Sequence, residues 1–144
     1  CFGLCEVLSR YNEVVGAVEL LGPTSFAPII RKAIELVKRE RQYHILLIIT
    51  DGQVDCVQET IDAIVEASHC ALSIVAVGVG DADFTTMHEF DDDLPERAFD
   101  NFQFVEFSAI VNDRRVENVD VAFAVAALQE IPEQWQCIKQ LKLL

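Results

Sequence analysis

The sequence predicts an α/β domain with a doubly wound, mainly parallel β-sheet, and two observations support this fold class. Residues 44–50 and 71–80 are apolar on both faces of an extended chain, as strands inside a parallel sheet are. Around them, apolar residues recur at helical spacing over segments of about 10 to 16 residues. Strands that alternate with such helices are typical of doubly wound domains.

The predicted elements follow one another without a linker, an internal repeat or a low-complexity tract. In chain order they are a helix over 5–15, a short strand over 18–24, a helix over 25–40, a strand over 44–50, a helix over 57–69, a strand over 71–80, an acidic helix or loop over 83–100, an edge strand over 102–107, a helix near 117–131 and a last helix over 132–141. Pro28 falls in the first turn of its predicted helix, where proline is tolerated. We therefore expect one domain over residues 1–144.

The composition is that of a folded protein with a strong negative charge. Fifty-one per cent of the 144 residues are apolar, which excludes a disordered chain. No apolar run approaches the ~18 residues of a membrane span, and no secretory signal is visible. The net charge of −13 argues against binding nucleic acid or anionic lipid through surface charge. Five cysteines without a CxxC pair predict reduced thiols in a cytosolic protein, and zinc-site spacings are absent.

Polar segments follow three of the predicted strands, at Gly22–Ser25, Thr50–Gly52 and Gly78–Asp83. The carboxyl ends of parallel strands meet at one edge of a sheet, where ligands bind, so we expect Thr24 and Asp51 to share a rim. A threonine hydroxyl and an aspartate carboxylate are oxygen ligands that suit Mg²⁺. From spacing alone, capping of turns or helices is the favoured explanation of both residues.

Other chemistries have weaker support in the sequence. The G-x-G of residues 78–80 has Asp83 where a third glycine would stand, which disfavours nucleotide binding. Neither a G-x-S-x-G elbow nor an H-E-x-x-H helix motif occurs. Asp81 and Asp83 border the same rim, and we interpret them as structural residues. We find no catalytic residues in this chain.

Six strings together resemble the copine-type von Willebrand factor A domain. They are "LGPTSFAPIIRKAIELV" (21–37), "YHILLIITDGQV" (43–54), "TIDAIVEAS" (60–68), "LSIVAVGVGDADF" (72–84), "RAFDNFQFVEF" (97–107) and "ALQEIPEQW" (127–135). The resemblance is collinear from about residue 5 to the end, and it is closest to the copine-like domain of RING domain (RGLG-type) E3 ubiquitin ligases. It implies a von Willebrand A or Rossmann-like fold that is N-terminally incomplete, because the family's first strand and helix would lie before Cys1.

The resemblance also implies a metal-ion-dependent adhesion site (MIDAS). Thr24 in "GPTS" matches the family's metal-binding threonine and Asp51 in "ITDG" matches its aspartate, with Ser25 a weaker candidate. The D-x-S-x-S loop that would complete the site is absent from residues 1–144. We therefore predict that Mg²⁺, or Ca²⁺ or Mn²⁺ in its place, binds weakly or not at all, because one carboxylate and one hydroxyl compensate poorly for lost water ligands.

The function implied by the resemblance is protein–protein interaction, with a partner recruited through a carboxylate. One alternative is the substrate-recruiting part of a RING-type E3 ubiquitin ligase whose RING lies outside this chain. A second is a fragment of a calcium-dependent phospholipid-binding copine, with membrane contact only through modules outside this chain. We expect a cytoplasmic location, with membrane-associated and nuclear pools as alternatives, and no nucleic-acid partner.

Overall fold

The computed structural model describes residues 3–19, 24–92, 94 and 97–144 of the chain. Along this part of the chain the elements are α1 (Leu4–Val15), α2 (Ala27–Glu40), β1 (His44–Thr50), α3 (Val57–Ala67), β2 (Leu72–Gly78), α4 (Thr85–Asp92), β3 (Phe102–Glu106), α5 (Phe107–Asn112), α6 (Val119–Leu128) and α7 (Ile131–Gln140). The alternation of strands and helices confirms the α/β fold class.

The three strands form one parallel sheet in the order β1-β2-β3. Strand β2 is central and all seven of its residues are buried, as its apolar sequence predicts. Its register places Leu72 opposite His44 of β1, and Ile74 opposite Phe102 of β3. The sheet therefore has its carboxyl ends at Thr50, Gly78 and Glu106, which fixes the edge where a ligand site is expected.

Helices lie on both faces of this sheet, which is consistent with a doubly wound fold of von Willebrand A type. One face packs Ile48, Ile74 and Phe104 against α2, α3 and α4 in the larger core cluster. The other face packs Val75, Val77 and Val105 against α5 and α6 in a smaller cluster. The alternation of side chains along each strand assigns odd-numbered positions to the second face and even-numbered positions to the first.

The prediction that residues 44–50 form a central strand is wrong in one respect. The strand has the predicted bounds, but it lies at an edge of the described sheet, with β2 as its neighbour. Ile45, Leu47 and Ile49 are exposed by 45%, 57% and 67% on the second face. Helices α5 and α6 cover that face over β2 and β3, so the apolar side chains of β1 lie beyond their reach.

Three further expectations need correction. Residues 18, 19 and 24 are not in a strand, and residues 20–23 of that predicted strand lie outside the described part of the chain. Strand β3 is an edge strand as predicted, but four of its five residues are buried, so its burial does not alternate. Helix α5 follows β3 directly and has no counterpart among the predicted elements, because six residues are too few for helical periodicity to emerge.

Helix α1 has the predicted position and an amphipathic sequence, yet every described side chain from Cys5 to Val15 is exposed.

Among the described residues, no helix is both long enough and apolar enough to cross a membrane. The cysteines that the structure describes, at positions 5, 56, 70 and 137, are not joined in disulfides.

Candidate functional site

Three loops meet at the carboxyl edge of the sheet. They are residues 24–26 before α2, residues 51–56 between β1 and α3, and residues 79–84 between β2 and α4. Each loop is joined to another by hydrogen bonds, through Asp55 and through Asp83. The predicted juxtaposition of these segments is therefore confirmed, and we call them the rim.

Thr24 is held on the rim by its backbone. Its N–H donates to the Oδ2 atom of Asp55 at 2.7 Å. Its carbonyl oxygen accepts from the N–H groups of Asp55 at 2.9 Å and Cys56 at 3.3 Å. These contacts use the Thr24 main chain and leave its side-chain hydroxyl, which is exposed, without a hydrogen bond to any residue that the structure describes. A hydroxyl positioned in this way is available to a ligand.

Asp51 lies directly after β1, at the start of the loop that holds Thr24. Its side chain is exposed and makes no hydrogen bond or ion pair with the described residues. The adjacent turn is closed by the Thr50 hydroxyl, which donates to the carbonyl of Gly52 at 3.1 Å. Asp51 therefore caps neither this turn nor α3 within the described structure, and the simple capping explanation of this residue loses its support.

Ser25, the weaker candidate, is engaged in local contacts. Its hydroxyl donates to the Oε2 atom of Glu59 at 3.4 Å and accepts from the N–H of Ala27 at 3.3 Å. The same Glu59 carboxylate pairs with Arg31 through Oε1 at 3.0 Å. Ser25 thus serves the start of α2, whereas the hydroxyl of Thr24 beside it has no partner among the residues that the structure describes.

Asp83 has the structural role that the sequence interpretation gave it. Its Oδ1 atom accepts from the N–H of Thr85 at 3.0 Å and from the Thr85 hydroxyl at 2.6 Å, at the start of α4. Its Oδ2 atom accepts from Nε2 of Gln53 at 3.0 Å. The hydrogen bonds from Thr85 are the main reason that the pKa of Asp83 lies below its ordinary value. With both oxygens in use, Asp83 links two loops of the rim and has little capacity for a metal.

The donor set of the rim fits a divalent cation poorly. Thr24 supplies one hydroxyl and Asp51 one carboxylate that lack partners in the described part of the chain, while the carboxylates of Asp55 and Asp83 already accept hydrogen bonds from the protein. Within the described parts of the chain, no group of three or more His, Cys, Asp or Glu side chains could hold a metal ion. Mg²⁺ needs near-octahedral oxygen coordination, and two protein ligands would leave most positions to water.

Sequence reasoning missed Asp55 and Gln53, the two residues that fix the rim. Both lie in "DGQVD" (51–55), within four residues of the predicted Asp51. Aspartate near the end of a strand and before a helix often accepts backbone hydrogen bonds, and that signal was present. The group that donates to Asp55 could not be predicted from the sequence, because Thr24 lies 31 positions away along the chain.

A family model described as Copine matches residues 1–144. The chain belongs to the copine family. The copine domain is 49% identical over 158 residues to the E3 ubiquitin-protein ligase RGLG2 of Arabidopsis thaliana. It is 49% identical over 144 residues to copine family protein 2 of Caenorhabditis elegans, and 38% identical over 144 residues to protein BONZAI 1 of Arabidopsis thaliana.

These relatives are longer than this copine domain. All of the chain is aligned with the first two relatives, but it spans 34% of the ligase RGLG2 and 2% of copine family protein 2. With BONZAI 1 the alignment includes 92% of the chain and 24% of the relative. The shared segment is therefore common to relatives of different total length.

Proposed function

We propose that this copine domain is a protein-interaction domain that recruits a partner at the rim. The observation that carries the proposal is a pair of oxygen groups, the Thr24 hydroxyl and the Asp51 carboxylate, that have no hydrogen-bond partner among the described residues. Both belong to loops that hydrogen bonds hold together. Ligands of doubly wound domains bind at this edge of the sheet. A carboxylate and a hydroxyl held by a fixed backbone can accept hydrogen bonds from donor groups of a partner. They can also bind a metal ion that a partner binds at the same time.

The role of Mg²⁺ at this rim is secondary in our proposal. Two protein oxygens would hold the cation weakly, with water in its other positions and one position open to a partner carboxylate. We expect calorimetric titration of the isolated domain with Mg²⁺, Ca²⁺ or Mn²⁺ to show a dissociation constant of about 1 mM or weaker. Tight Mg²⁺ binding that is lost in Thr24→Ala would contradict this expectation.

The experiment for partner recruitment compares the wild-type domain with three single variants. The domain is immobilised, retained proteins from its source are identified by mass spectrometry, and each is purified for a binding measurement. We expect Thr24→Ala and Asp51→Asn to weaken binding of a true partner at least about tenfold, as loss of a charge-assisted contact does. Asp62→Asn is the control, because Asp62 is exposed on α3 away from the rim and also changes one carboxylate to an amide.

A purified partner whose affinity is equal in all variants would place recruitment elsewhere on the domain. No binding of any purified candidate to the wild-type domain would contradict the proposal as a whole. Repeating the measurement with a chelator separates the metal from the two side chains. We expect the chelator to weaken binding less than Asp51→Asn does, since the rim holds metal poorly.

A second candidate function is substrate recruitment within an E3 ubiquitin ligase. It is favoured by the 49% identity to the ligase RGLG2, whose length exceeds the matched segment. In that case a partner bound at the rim would be ubiquitinated by the full-length protein, and Asp51→Asn would reduce that ubiquitination. Unchanged ubiquitination of a partner that binds the rim would argue against this candidate.

The remaining alternative is part of a calcium-dependent phospholipid-binding copine. The similarity to copine family protein 2 supports it, and the net charge of −13 implies that membrane contact would come from other parts of such a protein. We propose a cytoplasmic location, supported by the free thiols of the described cysteines. Imaging of a fluorescent fusion of the full-length protein, with and without a calcium ionophore, tests both points.

A further inference from the structure

A cavity of about 390 Å³, which is open to solvent on one side, lies at the opposite edge of the sheet from the rim. Its wall combines the end of α2, the turn between α3 and β2, and the residues after α7; the lining side chains used below are Val37, Lys38, Arg41, His69, Cys70, Lys142 and Leu143. The first two of these segments come just before β1 and β2, at the amino ends of the strands, and the residues after α7 lie beside them. The volume falls within the range of about 300–1,000 Å³ that is usual for small-ligand sites.

The charge of this cavity is opposite to that of the whole chain. Lys38, Arg41 and Lys142 are 3 of the 11 Lys and Arg residues in a chain of net charge −13. Lys38 lies 3.9 Å from a carboxylate oxygen of Glu66, which is its only ion pair with the described residues. Arg41 and Lys142 have no ion pair or side-chain hydrogen bond within the part of the chain that the structure describes. The lining side chains therefore carry more positive than negative charge, with the Glu66 carboxylate beside Lys38 as a partial offset.

The backbone at Arg41 and Lys142 is unusual. Arg41, with φ of 51°, and Lys142, with φ of 55°, are the non-glycine residues of positive φ that the described structure contains. Each residue follows a helix. The N–H of Arg41 donates to the carbonyl oxygen of Val37 at 2.8 Å, and the N–H of Lys142 donates to the carbonyl oxygen of Lys139 at 3.2 Å. Glycine is the usual residue at such positions, because a Cβ disfavours the left-handed conformation. At both positions the chain has a cationic residue in place of glycine, with the backbone strain that a Cβ causes.

The interior of the cavity is apolar and uncharged. Val37 is 4% exposed and Cys70 is 6% exposed, and Leu143 is partly buried beside them. Burial raises the pKa of the Cys70 thiol, so this group stays neutral near pH 7 and adds no negative charge. A ligand that fits this site would place a negative charge beside the cations and a short apolar group over the apolar floor.

We propose that this cavity is a binding site for a small soluble anion, a phosphate or carboxylate attached to a short hydrocarbon group. Arg41 and Lys142 would pair with the anion, with Lys38 and His69 at the margin. A second explanation needs no ligand: Arg41 and Lys142 are favoured because cations are attracted to the negative carboxyl ends of α2 and α7. If the cations bind a ligand, glycine at positions 41 and 142 should weaken its binding; if they only stabilise the helix ends, ligand binding should not change.

The first test titrates the domain with butyl phosphate, inorganic phosphate and butanol, observed as amide chemical-shift changes in NMR spectra. We expect saturable binding of butyl phosphate with a dissociation constant below about 1 mM, and shifts confined to the segments that line the cavity. Inorganic phosphate and butanol should each bind at least about tenfold more weakly, since each supplies half of the contacts. Equal binding of inorganic phosphate and butyl phosphate would overturn the proposed ligand class, as would no binding of butyl phosphate.

The second test replaces both cationic residues of positive φ, in the variant Arg41→Gly/Lys142→Gly. Glycine suits the left-handed backbone, so we expect the melting temperature to be unchanged or higher, while butyl phosphate binding weakens at least about tenfold. Arg10→Ala/Lys32→Ala is the control with the same change of net charge, because both residues are exposed in helices away from the cavity. Arg41→Lys should retain most of the binding.

Two results would overturn the proposal even if the variant folds normally. One is wild-type affinity in Arg41→Gly/Lys142→Gly, which would leave only the helix ends as the reason for the cations. The other is sedimentation of the domain with anionic phospholipid vesicles that depends on Arg41 and Lys142, which would make a lipid headgroup the ligand instead of a soluble anion. We expect no sedimentation, because a net charge of −13 repels such vesicles.

Discussion

Replacing Gly78 by alanine should destabilise the domain by about 1–3 kcal/mol, because it would overpack the end of β2. A Cβ atom at Gly78 would lie 2.8 Å from Cζ of Phe104, 2.9 Å from Cζ of Phe84 and 3.0 Å from Cε1 of Phe84. Carbon atoms in contact normally lie about 3.5–4.0 Å apart. Both rings are buried and their centroids are 5.4 Å apart, so neither can move without disturbing the other.

The assay is urea unfolding, followed by circular dichroism and by the fluorescence of Trp135, the single tryptophan. The midpoint should fall in Gly78→Ala while the slope stays constant, which marks a loss of native-state stability. Gly52→Ala is the matched control, since a Cβ there meets no atom within 4 Å and its φ is not positive. That variant should be as stable as the wild type or more stable by up to ~1 kcal/mol.

A double-mutant cycle identifies the clash as the cause. Phe104→Leu removes the ring atom nearest the new Cβ and should itself destabilise the domain by leaving a cavity. In that background Gly78→Ala should cost less than in the wild type, by at least about 0.5 kcal/mol of coupling. Equal costs in both backgrounds, or a Gly78→Ala variant as stable as the wild type, would refute the packing argument.

Three further predictions concern stability and solubility. Asn118→Ala should cost about 1 kcal/mol in the same urea assay, because the Asn118 side chain accepts from the N–H of Val121 at 3.1 Å and caps α6. Burial, with repulsion from nearby carboxylates, raises the pKa of Asp91 to about 6 and of Glu130 to about 7. The folded state then binds more protons than the unfolded state, so stability should fall as pH rises from about 4 to about 7, and Glu130→Gln should flatten that dependence. Leu47→Lys should leave the unfolding midpoint nearly unchanged and lower aggregation measured by light scattering, because Leu47 is exposed on an edge strand.

Local patterns in the sequence were sufficient to predict most of the elements. The apolar run of β2 and the helical spacing of α2 and α3 survive in the structure because both are properties of short segments. Helix α5 was missed because its six residues are shorter than two helical turns. The resemblance to copines rested on strings of residues, and the family model that matches residues 1–144 confirms it.

The sequence by itself determined the fold class, the family and the position of Asp51 at the carboxyl end of β1. Tertiary structure alone decided that β1 is an edge strand of the described sheet, because strand order depends on pairing between distant segments. It also decided which side chains of the rim are already engaged, since the partner of Thr24 lies 31 positions away. Tertiary structure alone also determines the cationic cavity, because Arg41 and Lys142 are 101 positions apart in the sequence and come together only in the folded chain.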